Sequence, residues 1–289
     1  MSINISRKLL TGTGIFTGCM AGYFTGIRLI ERDAYNGKQV PYEDKIIPEL
    51  LNSANRLDLK TKHGLEFSAM DINPNNSRKY LIYCNGLFGS MCLRKQKTYA
   101  ELLKTNYGII GFNYPGWGDE KNKFSQKNAQ ESITSVYNYL TQKGIKPENI
   151  GVVAHSMGCA VASEFAAHNK IAFVVLVSPF NKARDEVKYY IDKTNLKPFQ
   201  KQIMKYLPSR ILPLKFTLNN EKNLKKAECP VLILAPEDDN VVPIELTRKL
   251  KNKLSEKNNI QYQEFKTGAH NIIGEKLDKG IEFITNMKF

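Results

Sequence analysis

The stretch NIGVVAHSMG (residues 149–158), continuing as CAVASEFAAHNK (159–170), decides how this chain is read. Ile150 to Ala154 form a short apolar run of the kind buried in a parallel strand. The residues after Gly158 read as a helix. A strand that runs straight into a helix through Ala154-His155-Ser156-Met157-Gly158 places a serine on a tight turn with a strained backbone. Small residues two before and two after it let the neighbouring elements approach. Ala154 stands where glycine is more usual and is still small. The serine oxygen is expected to stand exposed at the helix N-terminus, where the dipole favours developing negative charge.

A serine hydroxyl needs a base to attack at neutral pH. The chain has four histidines: His63, His155, His168 and His270. Only His270, in Thr267-Gly268-Ala269-His270-Asn271, falls in the turn between the last predicted strand and the terminal helix. His63 and His168 read as ordinary surface or core residues. His155 neighbours the serine, and its side chain is expected to point away from the site. The carboxylate that orients the histidine belongs after the penultimate strand. There Glu237, Asp238 and Asp239 follow VLILA (231–235). Asp239 stands just before Asn240-Val241-Val242-Pro243, a register that favours it over Asp238. The expected catalytic set is therefore Ser156, Asp239 and His270, in the chain order Ser, Asp, His. The expected oxyanion donors are the backbone N–H groups of Met157 and of Leu87, in the turn Asn85-Gly86-Leu87.

Outward from this set, strands and helices alternate. RLDLKTKHGLEFSAMDI (56–72) reads as a hairpin turning at His63-Gly64. KYLIYCNG (79–86) and YGIIGFNYPGWG (107–118) read as buried strands ending in turns, and SQKNAQESITSVYNYLTQKG (125–144) as a helix closed by Gly144. This rhythm predicts an α/β fold with a mostly parallel central sheet, helices on both faces and a small helical lid. The expected division is an apolar leader over residues 1–30, a linker over 31–55 and a catalytic domain over 56–289, with the lid at 181–228.

At this point the chain resembles the α/β-hydrolase superfamily across about residues 56–289. The matching pieces are CNGLFGSM (84–91), NYPGWG (113–118), AHSMG (154–158), PEDDNVVP (236–243) and TGAH (267–270), in the order of that superfamily. VLVSPFNKARD (175–185) and LPLKFTLNNEKNLKKAECPVLIL (212–234) resemble its small-lid branch, which includes membrane-anchored esterases and protein depalmitoylases. The resemblance implies acyl transfer from an ester or thioester, of a small-molecule, lipid or acyl-protein substrate, to water, with no metal or organic cofactor. Two other readings stand beside it: a membrane-tethered interaction protein without turnover, and an acyltransferase using an alcohol or amine acceptor. Many relatives carry His-Gly at the first oxyanion turn, where this chain has Asn85-Gly86. The backbone donor survives that change and the histidine's supporting hydrogen bonds do not.

The chain is basic, with 42 Lys and Arg against 28 Asp and Glu. Residues 181–228 hold twelve basic and five acidic residues, half of the whole surplus of +14. A basic amphipathic lid suits an anionic membrane surface. No nucleic-acid motif accompanies the charge, so nucleic acid is not an expected partner. Residues 9–27 (LLTGTGIFTGCMAGYFTGI) carry no charge and are just long enough to cross a bilayer as a helix. Gly14, Gly18, Gly22 and Gly26 would form one bare stripe along it, which lets another helix approach closely in lipid. Phe16-Thr17-Gly18-Cys19 loosely resembles a lipoprotein cleavage box, so an exported lipoprotein is the alternative. Five scattered cysteines with no C-x-x-C pair indicate neither a disulfide framework nor zinc. The expected location is membrane-associated, with the catalytic domain in a reducing, cytosolic compartment.

Overall fold

The computed structural model describes residues 53–86, 96–115, 125–193, 197–199, 202, 217–272 and 274–287. The leader, most of the linker, Leu87 and the central part of the lid lie outside the described residues.

Eight strands form one sheet: β1 (Ala54–Lys60), β2 (Glu66–Ile72), β3 (Tyr80–Cys84), β4 (Gly108–Phe112), β5 (Ile150–His155), β6 (Phe173–Val177), β7 (Val231–Pro236) and β8 (Ile260–Phe265). Their order is β1-β2-β4-β3-β5-β6-β7-β8. The β1–β2 and β2–β4 pairs are antiparallel and all later pairs are parallel. The His63-Gly64 hairpin is thus present and supplies the antiparallel edge. β1 alternates half-buried and exposed positions, as an edge strand should. β3 to β7 are buried throughout, which is why they read as unbroken apolar runs rather than as alternations.

The described helices are α1 (Gln96–Leu103), α2 (Gln126–Gln142), α3 (Met157–Ala166), α4 (Ala183–Lys193), α5 (Asn220–Leu224), α6 (Ile244–Lys253) and α7 (Glu275–Asn286). Ser125 caps α2, its side chain accepting from the Asn128 amide. One sheet face packs Ile82, Val152, Val174 and Ile233 under α2, α3 and α6. The other packs Tyr83, Val153, Val175 and Leu234 under α1 and α7. This is the expected layer architecture, and the fold class stands as the sequence predicts.

The two ends of the lid segment meet. Lys182 and Asn219 pair as an isolated antiparallel bridge, the Ala183 amide donates to the Leu218 carbonyl at 3.0 Å, and Lys182 lies 2.9 Å from Glu221. The excursion between β6 and β7 therefore leaves and rejoins the domain at one place. Part of its basic surplus is already neutralised there. Asp185, on α4, also pairs with Lys249 of α6 at 2.7 Å.

Candidate active site

The parallel strands all deliver their carboxyl ends to one rim of the sheet, and the predicted residues lie on the loops that follow. In open α/β sheets this rim is where ligands bind. β5 ends at His155, and Ser156 adopts φ 54° and ψ −123° before α3 begins at Met157. A non-glycine residue in that region is strained, and such strain is characteristic of functional turns. The Ser156 amide donates to the Val177 carbonyl at 2.9 Å, and its carbonyl accepts from the Cys159 amide at 3.0 Å. Its side chain makes no helix-capping bond although it holds the N-cap position.

Gly158 shows why the turn needs a small residue. A Cβ there would lie 2.3 Å from the Cys84 carbonyl oxygen and 2.4 Å from that of Asn85. The helix start therefore presses directly on the turn after β3. Gly86, in the same turn, would place a Cβ 3.1 Å from Cβ of Ser156. The residue is accordingly packed closely, with 8% of its surface exposed. The approach of that turn is the physical reason. Met157 is also buried, and as the first residue of α3 its amide has no acceptor within the helix.

Asp239 lies in the loop after β7. Its Oδ1 accepts from the amides of Val241 (2.9 Å) and Val242 (2.8 Å). His270 Nδ1 stands 2.9 Å from Oδ2 and 3.0 Å from Oδ1. Burial alone would raise the Asp239 pKa, but the His270 contact and the two amides outweigh it and hold the group below the ordinary carboxylate range. The neighbouring Asp238 is exposed and does different work, accepting from the amides of Gly268 (3.2 Å) and Ala269 (2.8 Å). The register argument thus separates the two aspartates as the geometry does.

His155 departs from expectation. Its Nε2 donates to the carbonyl oxygen of His270, and the two rings lie 4.6 Å apart at 49°. As a strand residue it shares a face with Val153, and α7 and the loop leading into it cover that face. The ring therefore meets the His270 loop instead of pointing away. Asp239 and His270 are in direct contact, and His155, the residue before Ser156, touches the His270 loop. Leu87 lies outside the described residues, but the turn leading to it is fixed. Asn85 is fully buried, its Nδ2 donating to the Phe112 carbonyl at 3.4 Å, and Tyr114 donates to the Asn85 carbonyl at 3.2 Å.

Sequence reasoning missed two charged groups near this site. Lys276, on α7, is 1% exposed and donates to the carbonyls of Gly268 (2.8 Å) and Ala269 (2.6 Å). A signal existed: residues 276, 277, 280, 283 and 284 form the buried stripe of α7, so this lysine sits at an apolar position. Glu186, on α4, is half-buried, and its pKa is pushed up to about 7 by burial and then by the negative charge of Asp239. Cys84 and Cys159 are buried thiols whose pKa values burial raises, as expected of core cysteines. Among the described residues no cluster could hold a metal ion.

The lysophosphatidylserine lipase ABHD12 of Danio rerio is 28% identical over 188 residues, covering 61% of this chain and 47% of the relative. The lysophosphatidylserine lipase ABHD12 of Rattus norvegicus is 30% identical over 167 residues, covering 53% and 39%. The chain thus spans less than half the length of these curated relatives. The Pyrococcus furiosus esterase Pf2001 superposes with a TM-score of 0.65 at 19% identity, covering 83% of this chain and 93% of that one, a likeness of fold. The family model described as serine aminopeptidase, S33, matches residues 75–221, from before β3 through the nucleophile turn to α5. With the sheet order, the strand–turn–helix at Ser156 and that match together, the chain belongs to the serine aminopeptidase S33 family of α/β-hydrolases.

Proposed function

We propose that this chain is a serine hydrolase that cleaves an ester or thioester of an acyl or lipid-like substrate through an acyl-enzyme. The observation that carries the reading is the strained Ser156 on the rim where Asp239 already holds the His270 ring. With Nδ1 on Asp239, Nε2 of His270 is the nitrogen left to serve the serine. Ser156 Oγ attacks the carbonyl carbon and its proton passes to Nε2. The amides of Met157 and Leu87 hold the oxyanion, each such donor contributing about 3–4 kcal/mol in the transition state. Collapse breaks the bond to the leaving group, which takes the proton from His270. A water molecule, deprotonated by His270, then releases the acid and restores Ser156. The lipase and esterase names of the relatives support the ester class.

The reading extends to membranes. Residues 9–27 would anchor the chain and the basic lid would face an anionic surface, with the catalytic domain in a reducing compartment. No described helix is long and apolar enough to cross a membrane, and residues 9–27 are not among the described ones.

The test is a fluorophosphonate probe and a chain-length series of p-nitrophenyl esters and acyl thioesters, with and without anionic vesicles. Labelling confined to Ser156, turnover of at least one series and its loss in Ser156→Ala are the expected results. A folded parent protein that neither labels nor turns over is not a hydrolase. Equal rates with and without vesicles remove the interfacial role of the lid.

A further inference from the structure

Buried ammonium groups are rare, because desolvation of a charge is expensive unless hydrogen bonds replace the lost water. Lys276 is such a group, and it donates to two main-chain carbonyls of the loop that ends in His270. Gly268 and Ala269 have φ of 133° and 45°, so two consecutive residues before the histidine hold left-handed conformations. Their amides are taken by Asp238 and their carbonyls by Lys276, and the next carbonyl, that of His270 itself, is taken by His155. All three carbonyls and the first two amides of Gly268-Ala269-His270 are thus satisfied by side chains from outside the loop. A Cβ at Gly268 would lie 3.0 Å from Cε of Lys276, so the lysine stem occupies the space that glycine leaves.

We infer that Lys276 is a positioning residue for the general base, holding the Gly268-Ala269-His270 backbone from the carbonyl side while Asp238 holds it from the amide side. This rests on the reading of His270 as base. The logic is that of orientation: the Asp239 contact fixes which way the ring faces, but the ring's place is set by its own backbone. That backbone has no ladder partner at this point. Without the ammonium, the carbonyls of half-buried Gly268 and of Ala269 both lose their donor, and the loop relaxes toward water. A displacement of about 1 Å of a reacting group lowers the rate by roughly 100-fold, while contacts to the acyl chain elsewhere are untouched. The expected signature is therefore a fall in kcat with KM preserved, and its recovery by a side chain that restores the cationic donor.

The experiment uses the full chain, p-nitrophenyl butyrate as substrate, and Lys276→Met, Lys276→Arg and Asp238→Asn. In Lys276→Met, kcat should fall by about 10- to 100-fold with KM within about 3-fold of the parent, on a protein that still unfolds cooperatively above the assay temperature. Lys276→Arg should recover most of the loss. A folded Lys276→Met with parental kcat, a loss confined to KM, or a Lys276→Arg no better than the methionine variant overturns the proposal. If Lys276→Met does not fold, Asp238→Asn carries the test, since its side chain is exposed. It should lower kcat without changing KM, and parental kcat there overturns the proposal equally. Fluorophosphonate labelling separates the two levels. A parent labelled at Ser156 whose lysine variants keep full kcat loses this inference and keeps the function, whereas an unlabelled parent loses both.

Discussion

Gly158→Ala adds one methyl group at the point where α3 meets the turn after β3. The added carbon would stand 2.3 Å from the carbonyl oxygen of Cys84 and 2.4 Å from that of Asn85, against an ordinary carbon contact of about 3.5 Å. Relief therefore requires about 1 Å of movement, and both obstacles are backbone. The turn cannot easily yield, because Cys84 is paired with Ala154 of β5 and Asn85 is fully buried. Overpacking of this kind destabilises by about 1–3 kcal/mol, and an immobile backbone obstacle places this one at the upper end. What does yield is the separation of Ser156 from Asn85-Gly86, which lowers kcat by about 100-fold. The natural control is Gly280→Ala on α7, where the new carbon would meet only Val175 Cγ1 at 3.7 Å and Leu234 Cδ1 at 3.8 Å. There the same substitution should stabilise by about 0.5–1 kcal/mol through helix propensity and leave kcat alone. Urea unfolding midpoints and p-nitrophenyl butyrate turnover measure both. A Gly158→Ala protein with parental midpoint and parental kcat would show that the helix start does not press on this turn.

Two further outcomes follow from the ionised groups of the rim. Asp239→Asn should lower kcat by roughly 10⁴-fold, because an amide no longer selects the proper imidazole tautomer. Since the folded state depresses the Asp239 pKa, its stabilisation is complete above the unfolded value near 4 and is lost as pH falls through the folded value. The stability difference between parent and variant should therefore shrink on acidification, and a difference that grows between pH 6 and pH 3.5 contradicts the assignment. Lys276 gives the opposite ramp. Burial lowers its pKa to about 8 from 10.5, against the opposing pull of Asp239 and Asp238, so the folded protein carries the charge at a penalty below pH 8. That penalty is relieved between pH 8 and 10.5, so the urea midpoint of the parent should rise relative to that of Lys276→Met over that window, and a midpoint difference that falls there contradicts the assignment.

Much of this arrangement is written in local pattern. The buried strands announce themselves as apolar runs, the Ser156 turn as a strand joined directly to a helix, and Asp239 by its register before Val241-Val242-Pro243. Such signals survive because they depend on period and on turn chemistry within a few residues. The His63-Gly64 hairpin is legible for the same reason. What escaped depends on contacts across the chain. The direction of His155 follows from which sheet face the β8–α7 loop crosses, a tertiary matter. Lys276 was legible only as a charge on an apolar stripe, and its targets lie on the loop before its own helix. How closely the β3 turn packs against Ser156 is likewise a contact that no local pattern encodes.

The backbone at Ser156 also limits which atoms can ever stand there. With φ at 54°, a side chain branched at Cβ would collide with its own peptide groups, whereas an unbranched one is tolerated. A thiol could inherit the position with the chain trace intact, but a threonine hydroxyl could not, although its chemistry is nearly the same. Stereochemistry alone thus admits a thiol or a carboxylate as the attacking group at this turn and shuts out a secondary alcohol.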